Sequence, residues 1–237
     1  MPSQTELLYD LGLEARVCGI TRYCIHPAHW QKTKAIVGGT KKIKFHTLHA
    51  LHPDLIIANH EENVREQVEK LADDYPVWVT DVGDLPGALD MIRDIGQLTG
   101  TPGPAEMIRR NVETAFAGLS RPRHRFRTGY LIWKDPYMTV GRDTFIHDLL
   151  SRIGLENIFS DRIRYPEINL SEILERHCEL LLLSSEPYPF GPTHLEELQR
   201  DLPNTRIRLV DGELFSWYGS RLQQSPGYFQ KMLEEPA

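Results

Sequence analysis

The stretch "LPGALDMIRDIGQLTG" (85–100), followed by "PAEMIRRNVETAFAGL" (104–119), decides how the rest of the chain is read. Leu85, Leu89, Ile92, Ile95 and Leu98 recur at the three-and-four spacing that places side chains on one face of a helix. Met107, Ile108, Val112, Ala115, Phe116 and Leu119 continue the pattern, and "GTPG" between the runs supplies turn residues. The expectation is one long, nearly continuous helix, kinked at Gly100 to Gly103, that joins two separate blocks of structure.

On both sides of this strut, short apolar runs alternate with helical patterns, the mark of parallel sheets built from βαβ units. Before it, "ARVCGI" (15–20), "DLIIAN" (54–59) and "PVWVTD" (76–81) read as strands, with helices near 29–34, 45–51 and 63–72. After it, "GYLIW" (129–133), "ELLLLSS" (179–185) and "RIRLVDG" (206–212) read as strands, with helices near 144–153, 171–176, 193–201 and 226–234. The expected class is α/β: two βα, Rossmann-like lobes with parallel sheets, 1–83 and 123–237, bridged by a long backbone helix within 84–122. The basic segment "SRPRHRFR" (120–127) reads as a solvated loop leaving the strut. At the amino end, Ser3 and Glu6 have capping-box spacing and Gly12 lies near the helix end. In a βα lobe such a helix follows a strand, yet only Met1 precedes Pro2, so either a first strand is missing or the sheet does without it.

With 237 residues, 41% of them hydrophobic and 25% charged, the chain has the composition of an ordinary globular protein. A formal charge of −6, with Lys and Arg dispersed, argues against a nucleic-acid surface, which needs concentrated basic charge. No apolar run approaches the roughly 20 residues that span a bilayer, so membrane insertion is not expected. The amino end has neither a basic leader nor an apolar signal core, which places the chain in the cytoplasm as written, or in the periplasm if its start is truncated. Cys18, Cys24 and Cys178 are odd in number and read as reduced thiols.

Ligands of open α/β sheets bind at the carboxyl ends of the strands. The loops expected there carry Tyr23, Trp133, Tyr137, Tyr188, Phe190, Phe215, Trp217 and Tyr218. Rings in successive Gly- and Pro-containing loops suit a wall that stacks on a broad, flat ligand, while Arg22, Lys42, Lys134, Arg142 and Arg221 could hold its anionic groups. For any single ring, core or interface packing competes evenly with that role. "VGGTKK" (37–42) lacks phosphate-loop spacing and no convincing strand feeds it. His46, His49 and His52 share a helix face, as do His26 and His29, but Pro53 ends the first helix and solvated histidines are favoured over a metal site. Neither a G-x-S-x-G elbow nor H-E-x-x-H occurs, so a binder with no required cofactor is expected rather than an enzyme. The alternatives are a cytoplasmic enzyme or sensor using Asp135, Asp211 or Glu213 on a small metabolite, and a module whose loop rings contact another protein.

"PSQTELLYDLGLEARVCGITRYCIHP", "VGGTKK", "LHALHPDLIIAN", "PVWV", "IRDIGQLTG", "DTFIHDLLSRIGLENIFSD", "RYPEINLSEIL" and "LVDGELFSWYGSR", in this order and spacing, resemble the helical-backbone class of substrate-binding proteins that serve ABC importers. The resemblance covers nearly the whole chain and implies two βα lobes, one connecting helix and a metal chelate in the cleft between the lobes: cobalamin, haem or a ferric siderophore. By position it implies Ser3, Tyr23 and Thr40 as ligand contacts in the first lobe, and Trp133, Tyr165, Phe215 and Trp217 in the second. Corrinoid-binding members are the nearest in pattern, with Arg22, Arg142 and Arg221 keeping the siderophore option open. It also implies an ABC permease as partner, docked through an acidic residue on each lobe: Glu62 or Glu66, and Glu196 or Glu197.

Overall fold

Apolar runs of only a few residues give the first part of the chain short, narrow sheets. The computed structural model describes residues 1–234. Helix α1 (Pro2–Asp10) leads into β1 (Gly19–Ile20), then α2 (Trp30–Thr33), β2 (Ala35–Ile36), α3 (Phe45–Ala50), β3 (Ile56–Asn59), α4 (Arg65–Ala72) and β4 (Val77–Thr80). These strands form two parallel pairs, β1 with β2 and β3 with β4, rather than one continuous sheet. Trp30, Cys24 and Ile20 pack as one apolar cluster beneath the first pair. The capping box expected at the amino end does not form: Met1 is the N-cap, Pro2 holds the first turn, and Ser3 lies inside the helix with its side chain buried. Glu6 is drawn instead to Arg221, a stronger partner than a backbone N–H.

The expected strut is two helices, α5 (Leu85–Leu98) and α6 (Pro102–Ala117). Gly100 takes a left-handed φ of +71°, and the Thr101 N–H closes on the Gly96 carbonyl at 2.7 Å, which ends α5 within one turn. Pro102 then starts α6, where its missing N–H costs nothing. The two helices approach so closely that a Cβ on Gly96 would lie 2.3 Å from that of Ala105. A glycine is therefore required at this crossing.

The later part is a wider α/β layer. Strands β5 (Arg127–Leu131), β6 (Tyr137–Met138), β7 (Glu156–Asn157), β8 (Glu167–Ile168), β9 (Leu180–Ser184) and β10 (Arg206–Val210) alternate with α7 (Phe145–Arg152), α8 (Leu170–Glu175) and α9 (Pro192–Asp201). Four of the strands make one parallel sheet in the order β10-β9-β5-β7, and β6 pairs antiparallel with β8. The central strand β9, "LLLLS", is buried at every position, as a parallel strand covered on both faces must be. Leu131, Phe159, Ile173, Leu181 and Leu198 belong to the core beside it. Asn169 and Glu172 form the capping box that starts α8. Beyond β10 the chain enters α10 (Gly212–Ser216), a 3₁₀ turn (Ser220–Gln223) and α11 (Ser225–Glu234).

Two units account for the described residues. One comprises Met1–Val82, Pro86–Glu113 and Trp217–Gln223; the other comprises Gly83–Leu85, Thr114–Ser216 and the segment from Gln224 onward. From Pro86 onward, α5 and most of α6 belong to the first unit. The segment Trp217–Gln223, expected in the second lobe, belongs to the first because Glu6 and His26 anchor it there.

Candidate ligand-binding site

In the first unit, the loops at the carboxyl ends of the strands rest on a bed of buried polar groups. Asn59, the last residue of β3, donates from Nδ2 to the Thr80 hydroxyl at 2.9 Å and to the Tyr218 hydroxyl at 2.8 Å. Its Oδ1 accepts from the backbone N–H groups of Glu61 and Glu62, which fixes the loop after β3. Gln4 donates to the same Thr80 hydroxyl at 2.9 Å, tying α1 to the end of β4. Burial pushes the Tyr218 phenol well above its usual range, so it stays a neutral hydroxyl. The only signal for these residues in the sequence is that Asn59 and Thr80 are polar residues closing apolar strands.

Above this bed the expected contacts separate into exposed and covered groups. Tyr23 is 53% exposed, and its ring lies over Gly39, where a Cβ would come within 3.2 Å of the ring. Arg22 and Lys42 are exposed beside it, whereas Ser3 and Thr40 are buried. Thr40 contributes through its carbonyl, which accepts from Asn63 Nδ2 at 2.9 Å. "VGGTKK" does follow a short strand, β2, and folds back through a bridge between Gly38 and Ile43 rather than opening a phosphate loop onto a helix.

Trp217 and Arg221 do not present themselves to a ligand in this arrangement. Trp217 is only 4% exposed, its ring packed edge-on against His26 at 5.3 Å and capped by the Arg221 guanidinium at 4.9 Å. Arg221 in turn makes a two-pronged contact with Glu6, Nη2 to Oε1 at 2.6 Å and Nε to Oε2 at 2.9 Å. Burial holds the Glu6 carboxyl above the usual carboxylate range, and Arg221 pulls it back only in part. These three side chains fasten the Trp217–Gln223 segment.

In the second unit, Trp133 follows β5 and is 40% exposed, with its ring edge-on to Tyr188 at 5.7 Å. Tyr188 is steadied by Phe190 at 4.8 Å and by its hydroxyl, 3.1 Å from His194 Nε2. Tyr137 and Tyr165 are half-buried, and Arg142 is exposed, donating to the Asp161 carbonyl at 3.0 Å. Lys134 is occupied by Glu197 at 2.7 Å, which holds that carboxyl below the usual range. Phe215 is a correction: it is 0% exposed and packs on Tyr130, Tyr228 and Phe229, so it has no surface to offer a ligand. The ring sits in α10, not in a loop, and the helix turns it inward.

Of the acids held for an enzyme reading, Asp211 accepts from the Glu213 N–H at 3.0 Å, starting α10. His49 Nδ1 lies 2.9 Å from the Tyr75 hydroxyl, and among the described residues no group of three His, Cys, Asp or Glu side chains is placed to hold a metal ion. Among them, too, no helix is long and apolar enough to cross a membrane.

A model of the periplasmic binding protein family matches residues 1–204. The chain belongs to that family. Its relatives include the vitamin B12-binding protein of Salmonella choleraesuis, 23% identical over 190 residues that make up 78% of this chain and 70% of the relative. Among solved structures, a possible iron-binding periplasmic protein of Staphylococcus epidermidis superposes with a TM-score of 0.83 at 22% identity, covering 99% of this chain and 96% of that one. A periplasmic haem-binding protein of Vibrio cholerae gives a TM-score of 0.83 at 20% identity, with coverage of 99% and 96%. These likenesses establish the family and its α/β fold of parallel sheets.

Proposed function

We propose that this periplasmic binding protein is the receptor of an ABC importer for a large, flat metal chelate, with a corrinoid as its ligand. The observation that carries the reading is the pair of exposed rings at strand exits, Tyr23 over Gly39 in one unit and Trp133 against Tyr188 in the other. Each is an unspent aromatic face held in place by neighbours, which lowers the ordering cost of stacking on a ligand. Arg22 and Lys42, exposed in the first unit with Tyr23, and Arg142, exposed in the second, serve as donors for carboxylate or phosphate groups of the ligand. The B12-binding relatives support the corrinoid assignment. A transporting receptor of this family works outside the cytoplasm, so we place the protein there rather than in the cytoplasm. Glu62, Glu66 and Glu196 are exposed and serve as the permease-facing acids; Glu197 is taken by Lys134.

The test is a titration with cyanocobalamin, haemin and a ferric siderophore, followed by visible absorbance and tryptophan fluorescence. Saturable binding of the corrinoid, tighter than that of the other two, is the expected result. Saturation by haemin or siderophore alone would move the assignment to that ligand, and absence of binding to all three would overturn the receptor reading.

A further inference from the structure

The ring cluster beside Trp133 contains a chain of hydrogen bonds whose direction can be assigned. Helix α9 starts at Pro192, and the Gly191 N–H just ahead of it donates to Nδ1 of His194 at 3.0 Å. An imidazole nitrogen that accepts a hydrogen bond carries no hydrogen, so this contact assigns the neutral ring with its hydrogen on Nε2. That Nε2 lies 3.1 Å from the Tyr188 hydroxyl, which is therefore the acceptor. A phenol that accepts still has its own O–H to give. Among the described residues no other group bonds this hydroxyl, so its hydrogen is left to donate elsewhere.

The Tyr188 ring is fixed from several sides. Its N–H donates to the carbonyl of Ile132 at 3.3 Å, which ties the loop after β9 to the residue preceding Trp133. Phe190 and His194 pack on the ring with centroids at 4.8 and 5.4 Å, and Trp133 meets it edge-on at 5.7 Å. A side chain held in this way gives up little freedom when its hydroxyl gains a partner.

We propose that His194 is a positioning residue: it makes the Tyr188 hydroxyl a hydrogen-bond donor for an oxygen at the rim of the chelate that stacks on Trp133. The ligands it favours carry carbonyl or carboxylate oxygens around a flat ring, as the amide arms of a corrinoid and the propionates of haem do. This rests on the receptor reading above, which supplies the stacked ligand.

Two substitutions separate the ends of the imidazole. His194→Asn keeps an acceptor where Nδ1 takes the Gly191 N–H but is too short to reach Tyr188, whereas His194→Gln reaches Tyr188 with an amide donor. Affinity for cyanocobalamin and for haemin is read by calorimetric titration in the parent, in these two variants, in Tyr188→Phe, and in Tyr188→Phe combined with His194→Asn. His194→Asn and Tyr188→Phe are each expected to weaken binding about three- to tenfold, the contribution of one hydrogen bond, with His194→Gln restoring most of the loss. In the Tyr188→Phe protein, His194→Asn is expected to change nothing further, because the two side chains act as a unit. Nitrogen-15 correlation spectra of the ligand-free parent are expected to show the His194 ring hydrogen on Nε2 alone. Equal affinities in all five proteins, an additive loss in the double variant, or a ring hydrogen on Nδ1 would each overturn the proposal. A parent that binds neither chelate overturns the receptor reading and the proposal together, whereas those three results, in a parent that binds, overturn the proposal alone.

Discussion

Replacing Arg221 with Met would strip the partner from a carboxyl that the fold has almost closed off from water. The Glu6 and Arg221 side chains are 12% and 11% exposed, and two charge-assisted hydrogen bonds join them. An ion pair on the surface is worth about 0–1 kcal/mol, whereas removing one partner of a buried pair costs about 3–5 kcal/mol. The residual exposure puts Arg221→Met near the lower end, about 3 kcal/mol at pH 7. With a urea dependence of about 3 kcal/mol per molar, the midpoint should fall by about 1 M. The sign of the pH dependence follows from burial. Burial already raises the Glu6 carboxyl, and losing Arg221 removes the main pull in the other direction. A raised carboxyl contributes stability that is full below its unfolded value, about 4.3, and is lost as pH rises through the folded value. The penalty of Arg221→Met should therefore be small near pH 4 and grow toward pH 7, and adding Glu6→Gln should recover most of it at pH 7. Urea denaturation of the three proteins, parent, Arg221→Met and Arg221→Met with Glu6→Gln, at both pH values reads this out. A penalty below about 0.5 kcal/mol, or one equal at the two pH values, would refute the reasoning.

Three further outcomes are expected. Tyr23→Ala and Trp133→Ala should each leave stability within about 0.5 kcal/mol, as exposed sites do, while weakening cobalamin binding about tenfold or more, measured by calorimetric titration. Phe215→Ala should cost about 3–5 kcal/mol in denaturation, since the ring is wholly enclosed by Tyr130, Tyr228 and Phe229, yet leave the affinity of the folded protein unchanged. Gly96→Val should destabilise by about 1–3 kcal/mol or more by forcing α5 and α6 apart at Ala105, seen as a lowered thermal midpoint.

The sequence was most informative where hydrophobic pattern alone decides the outcome. β3, β4, β5, β9 and β10 lie where the apolar runs place them, because a buried parallel strand has few other ways to satisfy itself. Very short elements were invisible: β2, β7 and the β6–β8 pair span two residues per strand, too few for any period to register. Both apolar runs of the strut are helical, but the interruption is a full break, since periodicity does not reveal that Gly96 packs against Ala105. The rings divided for a similar reason. Tyr23 and Trp133 are exposed at strand exits, while Phe215 and Trp217 are covered, and composition is the same in both cases. What separates them is secondary structure and long-range pairing: α10 turns Phe215 inward, and the Glu6–Arg221 contact, 215 residues apart in the chain, holds the segment that carries Trp217. In the polar bed, Asn59, Thr80 and Gln4 carry no signal because each is ordinary alone, and Tyr218 stands out in the sequence for its ring rather than for the hydroxyl that joins it to Asn59.

The seven-residue excursion Trp217–Gln223 has a practical consequence for anyone dissecting the molecule. A fragment cut after α6 would carry every strand of the first unit and still leave Glu6 facing a void, because its guanidinium partner is encoded near the opposite terminus. Chimaeras that exchange halves with a relative would have to transplant this short piece along with the amino-terminal portion, and a library recombined at a single crossover would break the match in most of its members.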